Sequence, residues 1–304
     1  VDLILGQQRT SGDPLRPSRV LFRCAEDELP ARVQHLFRDL PPVDQPPAWS
    51  VPWPLQPGPT APIERLSVTA FRSYLACPFR FYLKHALHME GLDTSKRELD
   101  ALDFGSLVHY VLEVFGLDEE ARDLNKPEAI HQFLSSQLEQ QVTERYGRTP
   151  PLPVQVQSQI AERRLYAAAV AQAEEHAKGW RIESTEHQFE RKLEGMEIRG
   201  RIDRIERHEA TGALRVLDYK SSTKANPPFA SHTATCNAET PDYEVFDATI
   251  KGRAKERRWV DLQLPLYAWA LKHEADSDLQ LGYFNLPALG ADTGVQLLEP
   301  YTPE

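Results

Sequence analysis

One short stretch, residues 200–220, constrains this chain more than any other. It reads GRIDRIERHEATGALRVLDYK. Two segments with apolar alternation, GRIDRI and LRVLDYK, flank the turn chemistry of Glu209, Ala210, Thr211 and Gly212. That pattern predicts a β-hairpin. Side chains alternate faces along a strand, so Asp218 and Lys220 share a face, and Asp203 can sit opposite them on the paired strand. Two carboxylates and a lysine on a sheet surface suit a hard divalent cation and an attacking water. Mg²⁺ takes oxygen ligands, commonly one or two carboxylates together with water and phosphate. A lysine beside them orients or polarises the water.

Composition bounds what surrounds the hairpin. The chain has 304 residues, 41% of them hydrophobic, enough for a core in one large domain or two modest ones. A formal net charge of −10 argues against a protein that coats nucleic acid indiscriminately. Net charge is a global property, however, and leaves room for a local basic groove. Cys24, Cys77 and Cys236 are sparse and far apart, a poor disulfide framework and one that fits a reducing compartment. No run of about 18 apolar residues offers a membrane span, and no signal peptide is visible. The chain opens on Val1 and enters a strand-like VDLIL at once, which reads as a piece of a longer protein or a processed product.

Residues 1–40 read as the end of an upstream domain, with VLFR followed by a helical ELPARVQHLFRDL. Residues 41–63 are too rich in proline for a helix and read as an extended linker, pinned to the domain surface by Trp49 and Trp53. Ser67 is a plausible N-cap for VTAFRSYLACPFRFYLKHAL. There Phe71, Tyr74 and Leu75 make a helical stripe, and Pro78 divides two helical pieces. Phe79, Phe81 and Tyr82 read as core, and Cys77 as a packed thiol. In ALDFGSLVHYVLEVF the spacing of Leu107, Val108, Val111, Leu112 and Phe115 predicts a helix that carries His109. Taken alone, such a histidine is more often structural. Gly105, one turn ahead, permits close approach of another backbone.

An amphipathic helix opened by Pro127 and a long alanine-rich helix over 155–180 carry no chemical signature and read as a helical insertion or cap. From 181 the period becomes two, and three strands run through LRVLDYKS as an antiparallel meander. Residues 221–258 are polar without periodicity. Within them KGRAKERR sets five bases against one acid, as a solvated loop or as a contact for a DNA backbone. WVDLQLPLYAWAL then predicts a helix that starts near Asp261, since Pro265 is tolerated only in the first turn. Gln263 and Tyr267, four apart, share its face. LQLGYFN is a last core strand, and VQLLEPY a possible edge.

A helix with GSLVH, a strand with GRIDRI, a strand with LDYKS and a helix with QLPLY follow one another behind an LSVTAFRSYLACPFRFYL opening. This order resembles the PD-(D/E)XK nuclease superfamily in its RecB/AddB-like branch, over about residues 64–290. The signal lies in the four motifs taken together, each on its expected element. The resemblance implies an α/β (α+β-like) fold with a restriction-endonuclease-like core: a central mixed sheet flanked by helices, in a nuclease domain at 64–304 with a helical insertion at 121–180. Residues 1–40 would be the tail of a helicase-like region.

The resemblance also implies roles. Asp203 and Asp218 would ligate Mg²⁺ or Mn²⁺, helped by the Tyr219 carbonyl and by His109, which turns that histidine from structural to functional. Lys220 would position the water, and Gln263 and Tyr267 would orient the site and contact DNA. Glu186 matches an acidic position ahead of the GRIDRI strand. Arg201, Arg204, Lys224, Lys251, Arg253, Lys255, Arg257 and Arg258 are the candidate DNA contacts. Relatives that carry an iron–sulfur cluster use four cysteines, three near the C-terminus. Cys77 stands at the first place, but no cysteine follows Tyr267, so no cluster is expected. The implied activity is metal-dependent hydrolysis of DNA phosphodiesters, as an exonuclease in repair or recombination. Single strands or duplex ends would be the substrate and a helicase the partner, in the cytoplasm with the nucleoid. The alternative is an inert DNA-binding or docking module, against which the complete set of acids and lysine argues. HExxH and paired-cysteine zinc motifs are absent from the sequence.

Overall fold

In the computed structural model, which describes residues 18–36, 62–89, 101–250, 253–272 and 278–299, the predicted hairpin is the centre of a six-stranded sheet. β3 (Met196–His208) pairs antiparallel with β2 (Trp180–Leu193) along one edge. Its other edge is shared. β1 (Arg65–Ser67) runs parallel to residues 197–199, and β4 (Leu214–Lys220) antiparallel to residues 204–207. Between them, among the described residues, 200–203 have no ladder partner on that edge. β4 continues in parallel into β8 (Leu279–Asn285), and β8 pairs antiparallel with β9 (Gly294–Leu297). The sheet is therefore mixed.

Helices cover both faces. α4 (Ala101–Leu117), α5 (Pro127–Tyr146) and α6 (Leu152–Ala177) pack on Leu217, Tyr219, Phe284 and Leu286. On the other face α2 (Val68–Ala76) and α8 (Gln263–Leu271) pack on Leu214, Val216, Leu281 and Tyr283. The alternation of LRVLDYK and LQLGYFN thus serves two cores at once, as expected for strands buried on both faces. Each fully buried leucine or isoleucine such as Leu217, Ile198 or Leu264 contributes roughly 1.5–3 kcal/mol.

α5 and α6, the helical insertion or cap of the sequence, share the core of α4 through Ile130, Leu134, Leu138 and Val142. Small Ala161, Ala168 and Ala169 let α6 lie close against its neighbours. Several expectations are corrected. Residues 221–258 are not a loop. They form α7 (Pro228–His232) and a second sheet, β5 (Thr233–Thr235), β7 (Arg253–Trp259) and β6 (Val245–Ile250) in that order. Arg253, Ala254, Lys255 and Glu256 are all exposed, so this ribbon shows no apolar period to read. Its end is fixed by Trp259 stacked on Phe246 at 4.2 Å.

Cys77 is exposed rather than packed, because it is the extended joint between α2 and α3 (Pro78–Phe81). Phe79 is exposed as well, while Phe81 sits edge-on to Tyr74 at 5.5 Å. Arg204 is corrected most sharply. Its side chain is 2% exposed and paired with Glu206, so it is closed to DNA.

The chain divides into two compact units, Val1–Gln56 and Pro57–Glu304. In the first, a 3-10 turn (Arg19–Phe22) precedes α1 (Leu29–Leu36), and Arg32 Nη1 donates to the Arg23 carbonyl at 3.2 Å. VDLIL, Trp49, Trp53, most of the proline-rich stretch and Lys251 lie outside the described residues. Among the described residues no helix is long and apolar enough to cross a membrane.

Candidate active site

The gap on the edge of β3 is where the predicted side chains meet. Tyr267 reaches it: its hydroxyl donates to the Arg201 carbonyl at 2.7 Å. Gln263, one turn earlier on α8, donates from Nε2 to the Tyr267 hydroxyl at 3.0 Å and to Asp218 Oδ1 at 2.6 Å. Asp261 sets the start of that helix, since its Oδ1 accepts the Gln263 N–H at 2.9 Å. Lys220 Nζ lies 2.6 Å from Asp218 Oδ2, 3.5 Å from Gln263 Oε1 and 4.7 Å over the Tyr283 ring. Across the hairpin, the Tyr219 N–H donates to Asp203 Oδ2 at 2.9 Å. His109 Nδ1 stands 3.5 Å from the same oxygen, with its ring edge-on to Tyr219. The structure brings together Asp203, Asp218, Tyr219, Lys220, His109, Gln263 and Tyr267.

Two glycines make this closeness possible. A Cβ on Gly200 would meet the Phe189 ring at 2.5 Å and Val68 at 2.8 Å. A Cβ on Gly105 would come within 3.3 Å of Ser221 Oγ, where α4 approaches the turn after β4.

The charges are unbalanced. Burial pushes the Asp203 carboxyl up to about 8; the Asp218 charge adds to this, and the Tyr219 N–H opposes it. Burial also raises Glu186, against its ion pair with Arg201, and Glu113 and Asp218 raise it further. Glu186 sits in β2 level with Asp203, at φ 51, a left-handed backbone that costs a non-glycine residue roughly 1–3 kcal/mol. His109 is held below its ordinary value by burial, with Asp218 pulling the other way, so its neutral imidazole has a lone pair to offer.

Among the described residues no three His, Cys, Asp or Glu side chains are already arranged to hold a metal ion. The reason is local: the Asp218 oxygens face Lys220 and Gln263. In its chemistry the donor set still fits a hard divalent cation. Two neighbouring acids, one forced toward its neutral form by burial and by the other, have Lys220 paired on the Asp218 side and an imidazole on the Asp203 side.

A cleft of about 770 Å³ opens on Asp203, Gln263 and Tyr267. Its walls come from Ser67, Val68 and Thr69 at the start of α2 and from Gln188, Phe189, Glu190, Arg199 and Arg201 on β2 and β3. Of the candidate DNA contacts, Arg201, Lys224, Arg253 and Lys255 are exposed. Arg257 instead donates to Thr233, and Arg258 pairs with Glu244, so both brace the second sheet. Arg199 went unread, although it repeats Arg201 at a spacing of two on the same strand. Glu113 also went unread, although it follows His109 by one helical turn. Tyr283 and His232 carried no sequence signal, because their neighbours are set by the parallel β4–β8 pairing.

Over 171 residues the chain is 28% identical to an ATP-dependent helicase/deoxyribonuclease subunit of Lachnoclostridium phytofermentans, covering 52% of this chain and 14% of that one. Over 183 residues it is 26% identical to the subunit of the same name from Clostridium perfringens, covering 52% and 15%. The chain thus spans a small part of the length of the curated relatives it matches. A solved structure from Eubacterium rectale, provisionally named an exonuclease, aligns with a TM-score of 0.40 at 11% identity over 78% of this chain and 72% of that one. The family model of the PD-(D/E)XK nuclease superfamily matches residues 65–304, and the chain belongs to that superfamily.

Proposed function

We propose that this chain is the catalytic domain of a divalent-metal-dependent deoxyribonuclease. It hydrolyses phosphodiester bonds at DNA ends during repair or recombination, together with a helicase in the same chain or complex. One observation carries the reading: the Asp203 carboxyl is buried beside Asp218 and pushed up to about 8. The names of the two bacterial relatives support a DNA substrate and a helicase partnership.

Asp203, Asp218, the Tyr219 carbonyl and His109 would hold Mg²⁺ or Mn²⁺. Bound there, the ion would acidify a water and offset the charge that builds on the phosphate. Everything else falls to the side chains. Lys220, held between Asp218 and Gln263, orients the attacking water and faces the developing negative charge. Gln263 ties Asp218 to Tyr267, and Tyr267 ties α8 to β3, so the two acids keep their spacing during the reaction. Arg199, Arg201, Lys224, Arg253 and Lys255 draw the DNA backbone toward the cleft, with no demand on base sequence.

The test is digestion of end-labelled linear DNA beside closed circular DNA, in Mg²⁺ and in Mn²⁺. Linear DNA is expected to be degraded from its ends and circles spared, with all cleavage lost on chelation. Cleavage that persists in chelator, or circles cut as fast as linear DNA, would overturn the metal or the end-directed part of the reading, respectively.

A further inference from the structure

Resting on the nuclease reading above, we infer that His232 is a positioning residue for the reaction, tying the support of Lys220 to the support of Gln263 from beneath Asp218. His232 ends α7, within the segment that the sequence leaves unreadable, and is wholly buried. Its carbonyl and both ring nitrogens are engaged. Its carbonyl accepts the Val260 N–H at 2.9 Å and the Asp261 N–H at 3.3 Å. Its Nδ1 lies 2.9 Å from the Asp261 carbonyl, and its Nε2 lies 2.8 Å from the Tyr283 hydroxyl. A single neutral tautomer satisfies both, with Nδ1–H donating to the carbonyl and Nε2 accepting from the phenol. Burial, which lowers the imidazole pKa against the pull of Asp261, and which keeps Tyr283 protonated, favours that state.

From this imidazole two short arms reach the reacting groups. Through Asp261, whose Oδ1 caps the Gln263 N–H, it fixes the first turn of α8 and so the amide that grips Asp218 Oδ1. Through Tyr283, the register partner of Asp218 on β8, it fixes the ring over which Lys220 Nζ sits. A second tie anchors the same segment: the Asn285 side chain accepts the Asn226 N–H at 2.8 Å and donates to its carbonyl at 3.2 Å. His232 is the member that reaches both sides of the Asp218–Lys220 pair. Supports of this kind, behind groups that touch the reaction, commonly change activity by about 10- to 100-fold when cut.

The experiment compares Tyr283→Phe, which keeps the ring and removes one hydroxyl, with His232→Asn, which keeps a donor toward Asp261, and with the double variant. Steady-state cleavage of linear DNA is read alongside melting temperature. Both single variants are expected to lower kcat by about 10- to 100-fold with KM for DNA unchanged. The double variant should fall no further than His232→Asn, because one chain of contacts is cut twice. If both single variants keep the wild-type kcat while Asp218→Ala is inactive, the site stands and the role of His232 is wrong. Multiplicative losses in the double variant, or losses that appear only in melting temperature, overturn it equally. Absence of metal-dependent cleavage by the wild type would instead overturn the nuclease reading, and this role with it.

Discussion

Asp203 and Arg204 are neighbours on one strand, yet they belong to two buried charge clusters of opposite design. On the α6 side, Arg204 and Arg215 meet Glu206 and Glu175, two cations against two anions. Gln172 Oε1 accepts a hydrogen bond from Arg204 Nη2, and Arg215 lies 4.0 Å over the Trp180 ring. Burial there works against the charge of Arg204, but pairing with Glu206 outweighs it and leaves the guanidinium more firmly charged than usual. On the cleft side, among the described residues, Asp203, Asp218 and Glu186 have Lys220 and the exposed Arg201 as their Lys or Arg partners, and Asp203 and Glu186 are pushed toward their neutral forms. The first cluster is complete as folded. On the function proposed above, the second would be completed by a cation, and behind it a phosphate. Buried charge is therefore not itself the mark of function; buried charge left without its partner is.

That contrast can be broken at four points. The largest effect is expected on the cleft side. Asp218→Ala and Lys220→Ala should each lower kcat by about 10³-fold or more, with the melting temperature held or raised. Cleavage assays and thermal melts on the same preparations check both halves. On the α6 side the pattern reverses. Glu206→Ala strands the buried Arg204 guanidinium and leaves Arg215 with Glu175 alone; it should cost about 3–5 kcal/mol of stability, seen as a lower urea midpoint, while the molecules that stay folded keep their activity.

Third comes the pH dependence of stability. The folded value of Asp203 is raised from 3.8 to about 8, so the folded state binds the extra proton. Its contribution is fully present below about pH 4 and is lost as pH rises through about pH 8. Without divalent ions, stability should fall across that window, and Asp203→Asn should flatten the fall and gain a few kcal/mol at its upper end. A wild-type profile level from pH 4 to 8 would remove the imbalance on which the contrast rests. The smallest effect is on the surface: Arg253→Ala and Lys255→Ala should each reduce the salt slope of DNA binding by about one unit and leave kcat alone.

Much of this fold and site is legible in the sequence. The hairpin and the elements that carry GSLVH, GRIDRI, LDYKS and QLPLY follow from local periodicity, and local periodicity survives folding; a place for His109 beside Asp203 came only from the family resemblance, since periodicity alone reads that histidine as structural. The family and its fold followed from the order of those four motifs. What stayed hidden shares one physical cause, that the decisive partner is distant in sequence. Arg204 reads as a surface base until Gln172 and Phe284 close over it. Residues 221–258 read as a loop because β5, β6 and β7 are short and carry charge where apolar side chains would mark a strand. His232 gains its meaning only from Tyr283 and Asp261, which the topology brings to it.

The most direct test of the central claim is calorimetric titration of Mn²⁺ into wild-type protein and into Asp203→Asn, repeated in buffers of different ionisation enthalpy below pH 8. The wild type is expected to bind Mn²⁺ and release protons as it does so, and Asp203→Asn to bind far more weakly with no such release. Mn²⁺ bound equally by both proteins, or by neither, would contradict the account.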